Sequence, residues 1–308
     1  MTMMVPTAAT FSERPLSFVS EGQQLSAIVH PGRGGARLGV LVIVGGPQYR
    51  VGSHRQFVHL ARSLAASGVP VMRFDVAGMG DSDGPKQAFD RVSRDIAAAI
   101  DSFIAHSPGL EGVVLWGLCD GASAALIYAP SDSRVQGLVL LNPWLENDGA
   151  KAKTRLFDYY LQRLSSGAFW SKLWRGELDV RKSSREFGST LKTATHSGPA
   201  ASPNGPAAQP NDAAHYAYQQ RMLESFSALQ VPLCWVLSGN DLTAKEFERQ
   251  YFGAKSWQKA ARKKAISVER LAVADHTFSS LTWKEWLAQT TLAFVCTLQQ
   301  EAMQRAVT

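Results

Sequence analysis

Short apolar runs alternate along the chain with longer segments in which apolar residues recur every three or four positions. The apolar runs cover residues 40–44, 69–74, 112–116, 137–141, 231–237 and 268–273. The segments with helical spacing cover residues 54–67, 88–106, 122–128, 245–263 and 280–300. Uninterrupted apolar runs are typical of strands that are buried on both faces of a parallel sheet. The pattern therefore predicts an α/β protein with a doubly wound, mostly parallel sheet covered by helices on both faces.

Two regions depart from this alternation. Residues 14–19 and 24–30 predict an antiparallel hairpin that turns at Glu21-Gly22. Between residues 149 and 225 the strand pattern stops, so we expect a core of residues 1–148 and 226–308 with a cap insertion at 149–225.

The expected cap has two parts. Residues 156–174 are rich in bulky aromatic side chains at helical spacing and predict a helical cap over the carboxyl edge of the sheet. Those aromatic side chains suit ordinary core packing and substrate contact equally well. Residues 189–212 are rich in Ser, Thr, Ala, Pro, Gly and Asn without apolar periodicity, so we expect this tract to be flexible.

Composition narrows the class of protein. Of the 308 residues, 45% are hydrophobic and 19% charged, which excludes a wholly disordered chain. The net charge of +6 is modest for this length. The basic residues near the C-terminal half cluster at Lys255, Lys259, Arg262, Lys263 and Lys264 without a nucleic-acid-binding motif, so a solvated helix face is expected and no nucleic-acid partner.

The spacing of the cysteines and the length of the apolar segments indicate the cellular compartment of the protein. Three cysteines without regular spacing indicate neither a disulfide framework nor a zinc site, and we expect no metal or other cofactor. No run approaches the roughly 18 apolar residues that span a bilayer, and the first residues lack the pattern of a signal peptide. These features predict a cytoplasmic protein with no membrane span.

Gly117-Leu118-Cys119-Asp120-Gly121 lies where a buried strand is expected to turn sharply into a helix. A glycine two positions before and after the central residue lets strand and helix approach closely, as in a nucleophile elbow. Cysteine is often only a small buried hydrophobe, and Cys234 and Cys296, which lie in apolar runs, fit that interpretation. The glycines and the strand-to-helix context favour Cys119 as a nucleophile.

A thiol nucleophile requires a base and a group that orients the base. In a doubly wound sheet these groups lie in loops after later strands. Asp241 follows the run 231–237 and His276 follows the run 268–273, so we predict a Cys119, Asp241 and His276 triad. Asp241 could instead have only a structural role in a turn, where aspartate is common. Asp275 competes for the acidic role, but adjacent residues in an extended segment point apart.

The loop after the first central strand, Gly45-Gly46-Pro47-Gln48, can bring backbone N–H groups close to a ligand. We predict that the backbone N–H groups of Gly46 and Asp120 form an oxyanion hole, with Gln48 in reserve because Pro47 has no N–H. A plain tight turn is the alternative. A helix N-terminus and an imidazolium near Cys119 predict a lowered thiol pKa and a ready thiolate-imidazolium pair.

These motifs together resemble the α/β-hydrolase superfamily. The segment Asp75-Val76-Ala77-Gly78-Met79-Gly80-Asp81-Ser82 is similar to that superfamily's D-x-R-G-x-G-x-S loop, with Ala77 in place of arginine. Gly45-Gly46-Pro47 resembles its His-Gly-Gly-Pro loop, with Val44 in place of histidine. More narrowly, residues 44–57, 117–124 and 274–279 resemble the exosortase A system-associated hydrolase 1 family, which implies a link to bacterial exopolysaccharide and protein-sorting systems.

The leading hypothesis is a hydrolase that cleaves a small-molecule ester, thioester or lactone through a covalent thioester on Cys119. Two alternatives stay open: an acyltransferase, and a non-catalytic protein that binds a lipid or glycan on the same fold. The sequence does not identify the acyl chain, the protein partners or the oligomeric state.

Overall fold

The computed structural model describes residues 13–32, 35–46, 48–145 and 210–307. Met1–Glu146 and Tyr216–Thr308 form one compact unit, and Asn147–His215 form a second. The predicted helical cap segment at 156–174 lies outside the described residues, as does the predicted flexible tract up to residue 209. The first unit contains the strands of the central sheet.

The centre of this unit is an eight-stranded sheet. Its strands are β1 (Arg14–Ser20), β2 (Gln23–His30), β3 (Leu38–Ile43), β4 (Val71–Phe74), β5 (Gly112–Leu118), β6 (Val135–Leu141), β7 (Leu233–Ser238) and β8 (Ile266–Leu271). They lie in the order β1-β2-β4-β3-β5-β6-β7-β8. β1, β2 and β4 pair antiparallel, and every later pair is parallel. Because parallel neighbours require crossover connections, helices are expected between the strands.

The helices are α1 (Gln56–Ala66), α2 (Ser93–Ala105), α3 (Asp120–Tyr128), α4 (Pro210–Ala228), α5 (Leu242–Gly253), α6 (Lys255–Ala261) and α7 (Leu281–Val307). Short 3-10 turns at Ser53–Arg55, Phe89–Arg91 and Ala129–Ser131 join several of them to their neighbours. None of these helices combines the length and apolar content that crossing a bilayer requires.

Both faces of the sheet are covered. In β3, Leu41 and Ile43 pack with α2 and α3 on one face, whereas Val40 and Val42 pack with α1 and α7 on the other. Every residue of β3 is buried, as is expected of a strand between two helical layers. The predicted α/β class with a doubly wound, mostly parallel sheet is confirmed.

The start of α1 differs from the prediction of a helix from residue 54. His54 and Arg55 have φ angles of 52° and 58°, in the left-handed region, so the α-helix begins only at Gln56. The helical spacing of apolar residues does not reveal a left-handed backbone conformation, because that spacing records which side chains are apolar and not the φ angle.

Helix α4 was not predicted at all. Its Tyr218, Met222 and Phe226 are buried in the core and lie four residues apart, which is the spacing of one helix face. That spacing was the signal in the sequence, but the polar tract before it obscured the signal. The boundary between the two compact units, after His215, falls within α4. The predicted cap insertion at 149–225 stays a prediction.

Candidate active site

Four candidate residues follow neighbouring parallel strands. Gly46 follows β3, Cys119 follows β5, Asp241 follows β7 and His276 follows β8. Because parallel strands end at the same edge of a sheet, all four lie at its carboxyl edge. Residues separated by up to 230 positions in sequence thereby share one region.

Cys119 occupies the sharp turn between β5 and α3. Its φ and ψ angles are 58° and −125°, a strained conformation for a residue with a side chain. A Cβ atom at Gly121 would lie 2.5 Å from the Ile43 carbonyl oxygen, and one at Gly117 would lie 2.5 Å from the Gly121 carbonyl oxygen. Both positions therefore require glycine, as the elbow hypothesis assumed.

The turn is held from the neighbouring strand. The Cys119 N–H donates to the Leu141 carbonyl at 2.9 Å, and the Trp144 N–H donates to the Cys119 carbonyl at 3.2 Å. Cys119 packs against the hydrophobic core while part of the residue's surface stays exposed. Backbone bonds on both sides of the residue thus stabilise its unusual conformation.

His276 and Asp241 form a hydrogen-bonded pair. The His276 Nδ1 atom lies 2.8 Å from Asp241 Oδ2. A carboxylate only accepts, so Nδ1 carries the proton and Nε2 is the nitrogen that can take a further proton. The Asp275 carboxylate instead accepts from the N–H groups of Thr277 (3.1 Å) and Ser279 (3.0 Å) and from the Ser279 hydroxyl, so it shapes the turn around His276.

Two residues that sequence reasoning missed fix this loop. Asn142, fully buried after β6, donates from Nδ2 to Ser238 Oγ at 2.8 Å and to the His276 carbonyl at 3.0 Å. Its Oδ1 accepts the Ser238 N–H at 2.9 Å, and Ser238 Oγ donates to the Asp275 carbonyl at 2.9 Å. A polar residue directly after a strand, at Leu141-Asn142, was the available signal.

The loop between β3 and α1 is anchored to the Asp75–Ser82 segment. Asp75, fully buried, accepts the Arg50 N–H at 2.6 Å and pairs with the Arg50 guanidinium, which also pairs with Asp81. Arg73 in β4 donates to the Arg50 carbonyl at 2.5 Å. In this chain, Arg50 from another loop thus supplies a guanidinium to the segment in which Ala77 replaces the superfamily's arginine.

The predicted oxyanion donors are arranged differently from expectation. The Gly46 N–H donates to Asp120 Oδ2 at 2.7 Å, so in this structure a carboxylate holds the N–H that was expected to face substrate. The Asp120 backbone N–H directly follows Cys119 at the first position of α3, as expected. Gln48, the reserve donor, lies in the same loop, and its side-chain Oε1 is buried without a hydrogen-bond partner among the described residues.

The thiol electrostatics are opposite to expectation. Burial, followed by the negative charge of Asp120, raises the pKa of the Cys119 thiol well above its usual value, and Asp241 acts in the same direction. The Asp120 backbone N–H opposes this rise but does not outweigh it. Burial likewise raises the pKa of the Asp120 carboxyl, against the effects of the Gly46 and Gly121 N–H groups and of His276. These effects favour the neutral thiol form of Cys119.

The other two cysteines differ in their exposure to solvent. Cys234 is buried in β7, as predicted for a core residue, whereas Cys296 in α7 is partly exposed. Within the described ranges, no three His, Cys, Asp or Glu side chains are grouped to hold a metal ion.

The sheet order, the elbow after β5 and the positions of Asp241 and His276 define an α/β-hydrolase fold. Solved structures share it. The Pyrococcus furiosus esterase Pf2001 has a TM-score of 0.63 at 14% identity, covering 97% of this chain and 96% of that one. Est1E from Butyrivibrio proteoclasticus, solved with ferulic acid, has a TM-score of 0.57 at 15% identity, covering 92% and 98%.

The thioesterase domain from the curacin biosynthetic pathway has a TM-score of 0.54 at 18% identity, covering 92% of this chain and 99% of that one. A search of curated proteins finds no match. The family model described as Serine aminopeptidase, S33, matches residues 38–267, and the chain belongs to this family of α/β hydrolases. The resemblance to the α/β-hydrolase superfamily is thus confirmed. The family's description names serine, whereas this chain has Cys119 at the elbow.

Proposed function

We propose that this protein hydrolyses an ester, thioester or lactone of a small molecule through a covalent thioester on Cys119. The observation that carries the proposal is the hydrogen-bonded pair of His276 and Asp241 at the sheet edge where the Cys119 elbow also lies. An esterase and a thioesterase domain among the similar structures support the substrate class.

The raised thiol pKa determines how the reaction starts. Because Cys119 rests as a thiol, His276 Nε2 takes the thiol proton as the sulfur attacks the carbonyl carbon. The S–C bond forms, the carbonyl electron pair moves to oxygen, and the Asp120 backbone N–H donates to that oxygen. Asp241 holds the imidazole in the required tautomer and stabilises the imidazolium.

The second half of the reaction releases the acyl group. The tetrahedral intermediate expels the alkoxide or thiolate of the substrate, which takes the proton from His276. Water then gives a proton to His276 and attacks the thioester carbonyl, and the Cys119 sulfur leaves and recovers the proton. If an acceptor hydroxyl replaces water in this step, the same groups catalyse acyl transfer.

The experiment measures turnover of p-nitrophenyl butyrate and labelling of Cys119 by iodoacetamide. We expect Cys119→Ala to lose turnover, and we expect iodoacetamide to abolish wild-type turnover in step with modification of Cys119. Cys296→Ala is the matched control because Cys296 lies in α7, away from the strand ends, and should retain both properties. Full turnover by Cys119→Ala would refute the proposal.

Two observations favour a second candidate, a non-catalytic binding protein. The Gly46 N–H is occupied by Asp120 and the thiol pKa is raised, as in a site not set for attack. This candidate predicts that no adduct forms on Cys119 with any activated ester, which intact-protein mass spectrometry would detect.

From the resemblance of residues 44–57, 117–124 and 274–279 to the exosortase A system-associated hydrolase 1 family, we infer a link to bacterial exopolysaccharide or exosortase systems. If that link holds, replacing the chromosomal copy by Cys119→Ala should alter the secreted polysaccharide. An unchanged polysaccharide would argue against it.

A further inference from the structure

Asp120 makes two backbone contacts that point in different directions. Its Oδ1 accepts the Gly121 N–H at 3.0 Å, within the first turn of α3. Its Oδ2 accepts the Gly46 N–H at 2.7 Å, from a loop 74 positions earlier. A carboxylate at a helix N-terminus is favoured by the helix dipole, and the Gly121 contact satisfies that role. The Gly46 contact joins α3 to the loop after β3 and needs a separate explanation.

The loop is shaped to admit the carboxylate. A Cβ atom at Gly45 would lie 2.0 Å from Asp120 Oδ1, so only glycine leaves room there. Gly46 has a φ angle of 61°, which orients its backbone in a way that other residues rarely adopt. The two glycines and Asp120 thus form one fitted contact beside Cys119.

This contact conflicts with the reaction. The oxyanion of the tetrahedral intermediate needs a second donor besides the Asp120 backbone N–H, and Gly46 is the glycine in the loop where such a donor is found in this fold. An N–H that already donates to a carboxylate at 2.7 Å is not available to another anion, and two negative oxygens at one donor repel each other.

We propose that Asp120 is a positioning residue that holds Gly46 against the elbow in the resting site, and that the substrate oxygen displaces its carboxylate from the Gly46 N–H. The inference rests on the proposed function. Asp120 keeps its Gly121 contact during this exchange, so the helix start stays intact.

The test uses butanal, an aldehyde that adds reversibly to a thiol. The Cys119 sulfur bonds to the carbonyl carbon, the carbonyl electron pair moves to oxygen, and the thiol proton is transferred through His276 to that oxygen. The resulting hemithioacetal oxygen occupies the oxyanion position. The butanal concentration that half-protects Cys119 from iodoacetamide reports this adduct, and it is independent of the intrinsic labelling rate of each variant.

Two substitutions at Asp120 separate the effect of its negative charge from the effect of its contact with Gly46. Asp120→Ser is too short to reach Gly46 and should free its N–H, so we expect half-protection at about a tenfold lower butanal concentration, a modest part of what an oxyanion donor provides. Asp120→Asn keeps an amide oxygen for Gly46 without the negative charge, so we expect a smaller decrease. Asp101→Asn, on the exposed surface of α2, is the control and should match the wild type.

The results distinguish failure of this inference from failure of the proposed function. If butanal protects the wild type but protects both Asp120 variants only equally well or less well, this inference alone is overturned. No protection in any of the four proteins would overturn the proposed function and this inference with it. Because Asp120→Asn is close in shape to the native residue, it keeps the test decisive even if Asp120→Ser does not fold.

Discussion

The Asp241 oxygen that accepts a hydrogen bond from His276 also caps the N-terminus of α5. Asp241 Oδ2 lies 2.8 Å from His276 Nδ1 and accepts the Ala244 N–H at 3.1 Å, while Oδ1 accepts the Thr243 N–H at 3.2 Å. Asp241 is therefore the N-cap of α5 as well as the partner of the imidazole. The same contacts that cap α5 orient the carboxylate that pairs with His276, so the orientation of the imidazole depends on a helix terminus.

This double role separates two substitutions. Asp241→Asn should keep a capping oxygen but lose the charge that selects the His276 tautomer, so we expect about a 10³-fold loss in kcat/KM with little loss of stability. Asp241→Ala should lose as much activity and about 1 kcal/mol of unfolding free energy as well. Urea unfolding and turnover of p-nitrophenyl butyrate measure the two effects. Retained turnover in Asp241→Asn would exclude Asp241 as the orienting group.

Cys119→Ser tests whether the elbow or the sulfur is essential. The strained backbone at position 119 and the His276–Asp241 pair do not depend on the side-chain atom, and the family description names serine. We expect this variant to turn over p-nitrophenyl butyrate at a reduced rate and to resist iodoacetamide. A variant as inactive as Cys119→Ala would instead show that the site is adapted to a thiol.

The glycine after the elbow provides a test of the local geometry. In Gly121→Ala the new methyl would lie 2.5 Å from the Ile43 carbonyl oxygen and 3.0 Å from the Gly45 N atom, both backbone atoms that cannot move independently. We expect a loss of about 1–3 kcal/mol in unfolding free energy together with loss of turnover.

Gly253→Ala is the matched control for that substitution. A Cβ atom at Gly253, the last residue of α5, would meet nothing within 4 Å, so its stability should be unchanged or slightly increased. Equal thermal unfolding midpoints for the two variants would contradict the close packing inferred at the elbow.

His30 predicts how stability depends on pH. Burial, followed by the charge of Arg73, lowers the pKa of His30 to about 4, and Arg73 Nε donates to its Nε2 at 2.9 Å. The unfolded chain, with a His pKa near 6.5, binds more protons than the folded chain between these two values. Stability due to His30 is therefore complete above pH 6.5 and falls as the pH falls towards 4, by up to about 3 kcal/mol.

His30→Gln keeps an acceptor for Arg73 without a group that titrates in this range. We expect its unfolding free energy to change less than that of the wild type between pH 6.5 and pH 4. Glu13, whose carboxylate lies 4.0 Å from His30 and pairs with Arg62, is present in both proteins. Parallel pH profiles for the two proteins would show that His30 is not the group responsible.

The sequence determined the alternation of strands and helices, because burial on both faces of a sheet leaves uninterrupted apolar runs such as β3. It also determined the elbow, since the Gly117 and Gly121 positions follow from local steric limits. It placed Asp241 and His276 after the correct strands, because the carboxyl ends of parallel strands meet at one edge.

Only the tertiary structure decided which polar groups pair across that edge. The contacts of Asn142 with the His276 loop and of Arg50 with Asp75 join segments far apart in sequence, and no local pattern encodes such a distance. The same holds for the Asp120 carboxylate at Gly46. Burial of the thiol, followed by the charge of Asp120, raises the pKa of Cys119 where the sequence predicted a lowered one. A pKa depends on burial and on the distances to charges, and those quantities exist only once the chain has folded.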